Sequence, residues 1–221
     1  MSPPSAKALV LDFGGVMSKT LFETHALTEA ALGLPPNTLS WRGPFAIETD
    51  SLWASMQRGE ISERDFWLTR SREVGRLIGE DWRDMETFVK RARGADPEAV
   101  IRPEADRAIR MVAGAGFKLA ILSNELDLFY GAQFRNRVPL LSHFQAIIDA
   151  THTNILKPDP RAYGIVLDAL ALDAASCVFV DDQQRNIDGA IECGLRTVLF
   201  DVRNPRSGYA AALRPFGLEF N

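Results

Sequence analysis

Apolar residues in this chain fall into two patterns. The first is a set of short runs rich in Val, Ile, Leu and Phe, without polar alternation. They lie at 8–13 (Ala8-Leu9-Val10-Leu11-Asp12-Phe13), 118–123, 146–149, 177–181 and 197–201. Each is too short for a free-standing helix. Unbroken apolar character is what a strand covered on both faces of a parallel sheet requires. Most of these runs end in a polar residue, usually Asp. The second pattern is helical. Across 103–115, Ala105, Ile109, Val112 and Ala113 share a face, and Gly114 and Gly116 supply the stop. Residues 161–171 carry Ile165, Val166, Leu167, Ala169 and Leu170. Residues 185–193 carry Ile187, Ala190 and Ile191, with Gly194 as the breaker. Strands alternating with helices predict βαβ units and right-handed crossovers.

Between residues 18 and 95 the pattern changes. Amphipathic stretches occur at 25–32, 49–57, 63–77 and 82–93, and no strand pattern interrupts them. Ser62 followed by Asp65 marks a helix start, and Gly59 the preceding break. Trp41, Trp53, Trp67 and Trp82, all the tryptophans of the chain, fall here. The whole therefore reads as an α/β protein. A Rossmann-like parallel sheet of about five strands, flanked by helices, is built from residues 1–17 and 96–221. A helical cap, residues 18–95, is inserted after the first strand. An insertion at that point leaves from the carboxyl edge of the sheet, where open α/β sheets bind ligands. From Asn204 onward the tail reads as a closing loop and a short helix.

Composition changes this picture only by exclusion. The 221 residues carry a formal net charge of −4, which gives no electrostatic footprint for nucleic acid or an anionic membrane. Two cysteines, Cys177 and Cys193, are too few for a disulfide scaffold and fit a reducing compartment. No apolar run approaches the roughly 20 residues that cross a bilayer. The segment from Met1 to Lys7 lacks a basic region followed by an apolar stretch, so no signal peptide is expected. A cytoplasmic protein with a small-molecule partner is the expectation.

The candidate chemistry lies at the strand ends. Asp12 closes the first run, Ser123-Asn124 the second and Asp181-Asp182 the fourth. Leu156-Lys157-Pro158-Asp159-Pro160 sits between the third strand and the next helix. In a parallel sheet all strand carboxyl ends share one edge, so these residues should meet. Oxygen-rich sites with few imidazoles suit a hard cation, above all Mg²⁺. Such a cation beside Asp12, with Lys157 nearby, would neutralise a phosphoryl group whose oxygens Ser123, Asn124 and backbone N–H groups could hold. A carboxylate placed there can act as a nucleophile, and positioning plus charge neutralisation is most of phosphoryl transfer. Singly, each element has a plainer reading: Ser123-Asn124 or Asp182 as a helix cap, Lys157 as a solvated loop residue. Their joint order at successive strand ends is what carries the argument. Gly14-Gly15 is a tight turn that lacks the third glycine of a dinucleotide fingerprint.

These motifs together resemble the haloacid dehalogenase-like hydrolase superfamily, in the subgroup with a small helical cap after the first strand. Asp12-Phe13-Gly14-Gly15-Val16 is similar to its first motif, Leu122-Ser123-Asn124 to the second, Lys157-Pro158-Asp159-Pro160 to the third and Val180-Asp181-Asp182 to the fourth. Asn186, Gly189-Ala190 and Gly194 follow the helix of that fourth motif. The resemblance covers nearly the whole chain. It implies a Mg²⁺-dependent phosphatase acting on a small phosphomonoester, such as a sugar phosphate, through an aspartyl-phosphate. Asp12 would be nucleophile and metal ligand, with the Gly14 carbonyl and Asp182 as further ligands and Asp181 in the second shell or bound through water. Ser123, the Asn124 N–H and the Gly15 backbone would bind the phosphoryl group, and Lys157 would neutralise it.

One departure stands out. Most phosphatases of the family carry a second Asp two residues after the nucleophile as general acid and base; here Gly14 takes that place. General acid catalysis is typically worth about 10²–10⁴-fold. Water, or Glu23 or His25 in the cap, would have to substitute, which favours good leaving groups. A metal-free 2-haloacid dehalogenase is the alternative, since halide leaves without a proton. The family's dehalogenases, however, have Tyr where Gly14 stands and Thr where Val16 stands, and they lack the acidic pair. A substrate carboxylate would also want an arginine near the start of the cap, and Arg42, the only one there before Arg58, is poorly placed for it. A second alternative is a phosphate-binding module with little catalysis. Of the cap aromatics, most are expected in its core. His152 follows the third strand as a loop residue.

Overall fold

The computed structural model describes residues 6–93 and 99–220. The expected boundary at residues 95/96 and the first five residues lie outside them. Five strands form one parallel sheet: β1 (Ala8–Leu11), β2 (Lys118–Ser123), β3 (Ala146–Asp149), β4 (Cys177–Asp181) and β5 (Arg196–Leu199), in the order β3-β2-β1-β4-β5. The helices are α1 (His25–Leu32), α2 (Ser51–Gln57), α3 (Glu63–Leu77), α4 (Met85–Arg93), α5 (Pro103–Gly114), α6 (Leu126–Tyr130), α7 (Phe134–Arg137), α8 (Ala150–Thr153), α9 (Pro160–Leu170), α10 (Gln184–Glu192) and α11 (Pro205–Leu213). The chain divides into two compact units. The sheet unit comprises Met1–Lys19, Ile101–Leu126 and Arg135–Asn221; the helical unit comprises Thr20–Val100 and Asp127–Phe134.

In the sheet unit, β1 is central and apolar throughout. Leu11 stands opposite Ile121 of β2 and Val180 of β4, so the three strands end within two residues of one another. That register brings the residues after them to one edge. Ala8, Val10, Ala120, Phe179, Tyr163 and Val166 pack on one side of the sheet under α9 and α10. The expectation of burial on both faces holds for β1, β2 and β4 and fails for β3 and β5. These two are the edge strands, so their side chains stay half-covered. At the first of its two excursions from this unit the chain leaves and re-enters beside an antiparallel bridge, Ser18 with Ile101.

The helical unit has its own core, made of Phe22, Trp53, Met56, Phe66, Trp67, Trp82 and Phe88 among others. Phe22 meets Trp41 and Trp53 edge-on, with centroids 5.2 Å apart in each case. Helix α3 starts with the expected capping box, Ser62 and Asp65 satisfying each other's backbone N–H. Asp50 caps α2 through Trp53 N–H at 3.0 Å and also accepts from Arg70 Nη2 at 2.6 Å, a buried ion pair. His25 is 6% exposed, and neither ring nitrogen has a well-formed hydrogen-bond partner.

The His25 pKa is lowered to about 4, first by burial and next by the Arg42 guanidinium; Glu29 pulls it back up, Arg70 lowers it further, and the Leu39 backbone raises it least. In the unfolded chain the imidazole titrates at its ordinary 6.5. Between those values the unfolded chain binds a proton that the folded unit refuses. Stability should therefore be fully present above pH 6.5 and fall as pH drops toward 4, by about 1–2 kcal/mol after allowance for screening. Urea midpoints at pH 7 and pH 4.5 check this: His25→Phe should shrink the difference between the two, and an unchanged difference would remove His25 as its source.

Candidate active site

Every residue of the site is set by the sheet unit. Asp12 follows β1, and its backbone N–H bonds to Val180 O of β4 at 2.9 Å, which fixes where its side chain emerges. Lys157 arrives on the loop before α9. Its backbone is clamped by the Asn124 side chain, whose Oδ1 accepts from Lys157 N at 2.7 Å while its Nδ2 donates to Lys157 O at 3.2 Å. The Lys157 ammonium then donates to Asp12 Oδ1 and to Asp181 Oδ2, both at 2.7 Å. It also lies 5.4 Å from the centroid of the Phe179 ring. Burial alone would lower the Lys157 pKa, but the facing carboxylates of Asp12 and Asp181 outweigh it and raise it. The lysine is a fixed cation, unfit as a proton donor near neutrality.

Asp181 is 0% exposed. Besides Lys157, it accepts from Gln183 N–H at 2.8 Å and from Asn186 Nδ2 at 3.0 and 3.1 Å. The Asn186 carbonyl in turn accepts from Tyr163 Oη at 2.7 Å. The sequence reading gave Asp181 to the metal's outer shell. In the structure Asp181 anchors Lys157, which is compatible with that place. Asp181 still has an oxygen within 4.8 Å of oxygens of Asp12 and Asp182. A direct bond from Asp181 to a cation would compete with those four hydrogen bonds.

Asp182 is half-buried and lies directly over Gly15. Gly15 has φ of +77°, and a Cβ there would collide with Asp182 Oδ2 and come within 2.8 Å of its Cγ. Glycine is thus required twice, by the backbone conformation and by the carboxylate seated on it. Gly14 is the opposite case. Its φ of −69° and ψ of 127° are open to any residue, and the nearest atom to a Cβ would be Asp12 Oδ2 at 3.9 Å. The missing second carboxylate is therefore a matter of sequence, and the backbone does not forbid it.

Ser123 is buried at the end of β2, and its Oγ accepts from Glu125 N–H at 3.3 Å, the capping contact that its position predicts. Glu23 and His25 both belong to the helical unit. Glu23 accepts from Thr20 N–H and Thr20 Oγ1 at 2.8 Å, so its carboxylate holds a turn. His152 is exposed on α8. Burial pushes the Cys177 thiol up to about 11, which leaves it inert. Sequence reasoning named Asn186 only through the family pattern, and it missed Gln183 and Tyr163. Their partners lie 2 to 23 residues away in patterns that no periodicity encodes.

The donor set fits a small hard cation. Asp12, Asp181 and Asp182 each place an oxygen within 4.8 Å of the others, and Asp12 and Asp181 share the Lys157 ammonium. The haloacid dehalogenase-like hydrolase family model matches residues 6–194. The chain is a haloacid dehalogenase-like hydrolase. This hydrolase is 29% identical over 201 residues to phosphatase MT3486 of Mycobacterium tuberculosis, covering 89% of this chain and 88% of that protein. It is 27% identical to mouse (Mus musculus) acyl-CoA dehydrogenase family member 10, covering 89% of this chain but only 18% of the mouse protein. Curated (S)-2-haloacid dehalogenases are also among its relatives. Its fold is similar to that of the magnesium-bound HAD-hydrolase YfnB of Bacillus subtilis, with a TM-score of 0.66 at 16% identity, covering 88% and 86% of the two chains. Among the described residues no helix is long and apolar enough to cross a membrane.

Proposed function

We propose that this hydrolase is a Mg²⁺-dependent phosphatase of small phosphomonoesters with good leaving groups. The observation that carries the reading is the division of the Asp12 carboxylate. Lys157 holds Oδ1, while Oδ2 lies on the side of Gly14, in a site that also contains Asp182. Asp12, Asp182 and the Gly14 carbonyl would hold the cation. When bound, Mg²⁺ supplies the positive charge that lets an anionic phosphate approach an anionic nucleophile.

The residues of the chain do the rest. Asp12 Oδ2 forms a bond to phosphorus as the bond from phosphorus to the leaving oxygen breaks. The electron pair departs on that oxygen, which takes a proton from water. Lys157 and the Ser123-Asn124 turn hold the transferring oxygens. A second water then adds to phosphorus, gives up its proton to solvent and releases orthophosphate, restoring the Asp12 carboxylate. Because no side chain at position 14 delivers the proton, the leaving group must bear its own charge. Acyl and aryl phosphates meet that condition best, and anomeric sugar phosphates meet it better than simple alkyl phosphates. The relation to a phosphatase over almost its full length supports this reading.

The dehalogenase reading draws on named relatives and on Gly14. Against it stands Asp182, whose carboxylate lies near that of Asp12 and would repel a carboxylate substrate where no cation is bound. The deciding experiment is hydrolysis of p-nitrophenyl phosphate and a panel of metabolite phosphates with Mg²⁺ and with EDTA. Turnover should vanish in EDTA and return with excess Mg²⁺. Halide release from chloroacetate in EDTA, without phosphate hydrolysis, would overturn the proposal. Phosphate binding with no turnover on any substrate would instead favour a binding module.

A further inference from the structure

The loop behind Asp12 is tied down by residues from distant parts of the sheet unit. Phe13 O accepts from Ser18 N–H at 2.9 Å. Gly15 O accepts from the Arg102 guanidinium, through Nε, at 3.0 Å. Val16 O accepts from Tyr209 Oη at 3.1 Å, and Met17 O accepts from Arg102 N–H at 2.9 Å. Gly14 is thus flanked on both sides by carbonyls that are held. Arg102 is only 3% exposed, and its guanidinium lies 5.9 Å from the Phe200 ring centroid. Tyr209 is fully buried and meets the same ring edge-on at 5.2 Å. A buried guanidinium is costly unless it has a specific task. Here its long-range bond runs to the loop that carries the nucleophile.

We propose that Arg102 is a positioning residue for that loop, with Tyr209 as its helper. The Gly15 peptide is the piece on which Asp182 rests, so the bond from Arg102 fixes the height of that peptide under Asp182 and the direction of the Gly14 carbonyl before it. Arg102 also follows Ile101, where the chain re-enters the sheet unit beside Ser18. One residue therefore joins the re-entry point to the nucleophile loop. The kinetic part of this inference rests on the phosphatase reading. The structural part does not.

The test separates the two. Amide hydrogen exchange of the segment 13–18 and steady-state kinetics on p-nitrophenyl phosphate with Mg²⁺ are compared for wild type, Arg102→Met, Arg102→Lys, Tyr209→Phe and Val112→Ala. Val112 is buried in α5, ten residues beyond Arg102 along the chain, so its truncation controls for simple loss of stability. In Arg102→Met the loop amides should exchange about tenfold faster or more. Turnover should fall by about 10–100-fold, the cost of a small misplacement at a reacting centre, with KM little changed. Arg102→Lys should recover part of both effects, and Tyr209→Phe should show the same change at smaller size. Val112→Ala should lower the melting temperature and leave loop exchange and turnover near wild type. Wild-type loop exchange in Arg102→Met, or equal loop loosening in Val112→Ala, would overturn the proposal. If no variant, wild type included, turns over any phosphate, the phosphatase reading fails while the exchange comparison still decides the role of Arg102. Should Arg102→Met not fold, Arg102→Lys and Tyr209→Phe carry the same comparison.

Discussion

Replacing Asp12 by Asn should lower phosphatase turnover by at least about 10³-fold while leaving the protein folded. The amide matches the carboxylate in shape but has no anionic oxygen to attack phosphorus. It also removes one negative charge from the prospective cation site. The fold should tolerate the change because Lys157 keeps its second partner, Asp181, at 2.7 Å, and the Asp181 side chain is the more deeply buried of the two acceptors. Mass spectrometry of quenched reactions should reveal a phosphoryl adduct on the wild type and none on the variant. Turnover that persists in Asp12→Asn, with an unchanged melting temperature, would remove Asp12 as nucleophile.

Gly14→Asp should produce a gain that depends on the leaving group. A carboxylic acid placed two residues after the nucleophile would protonate the departing oxygen, an effect typically worth about 10²–10⁴-fold. Alkyl phosphates, which leave as strongly basic alkoxides, should gain most of it. p-Nitrophenyl phosphate, whose phenolate needs little help, should gain about tenfold or less. The structure permits the change: φ and ψ at Gly14 are ordinary, and a Cβ there would have only Asp12 Oδ2, at 3.9 Å, within contact range. The check is the ratio of kcat/KM for an alkyl phosphate to that for the aryl phosphate, before and after substitution. An equal rise for both would mean that the acid is not what the wild type lacks.

Much of the fold could be read from the hydrophobic pattern because the pattern is what the fold satisfies. Runs buried on both faces became β1, β2 and β4, and the stretches at 25–32 and 63–77 became α1 and α3 with the expected bounds. The misses have local causes. Helix α4 begins at Met85, three residues later than the apolar pattern implied, because the Asp84 carboxylate captures Thr87 N–H while the Trp82 indole is held by Glu80. β5 ends at Leu199, since Asp201 turns to bond Arg203 N–H and Phe200 packs on Tyr209. The short helices α6 and α7 carry too few residues for a period to show. In the site, residues at strand ends were legible because topology alone gathers them. Arg102, Tyr163, Gln183 and Tyr209 were not, because each acts through a single hydrogen bond to backbone or carboxylate.

The crowding of donors around Asp181 has one more consequence. Three adjacent carboxylates look, on paper, like room for two divalent ions. With its lone pairs committed to Lys157, Gln183 and Asn186, Asp181 is a saturated acceptor. The Lys157 ammonium sits on Asp12 Oδ1, so under the proposed function an exchangeable cation would be held near the other oxygen. On that reading the expected stoichiometry of the site is one ion, set by a residue that need never touch it.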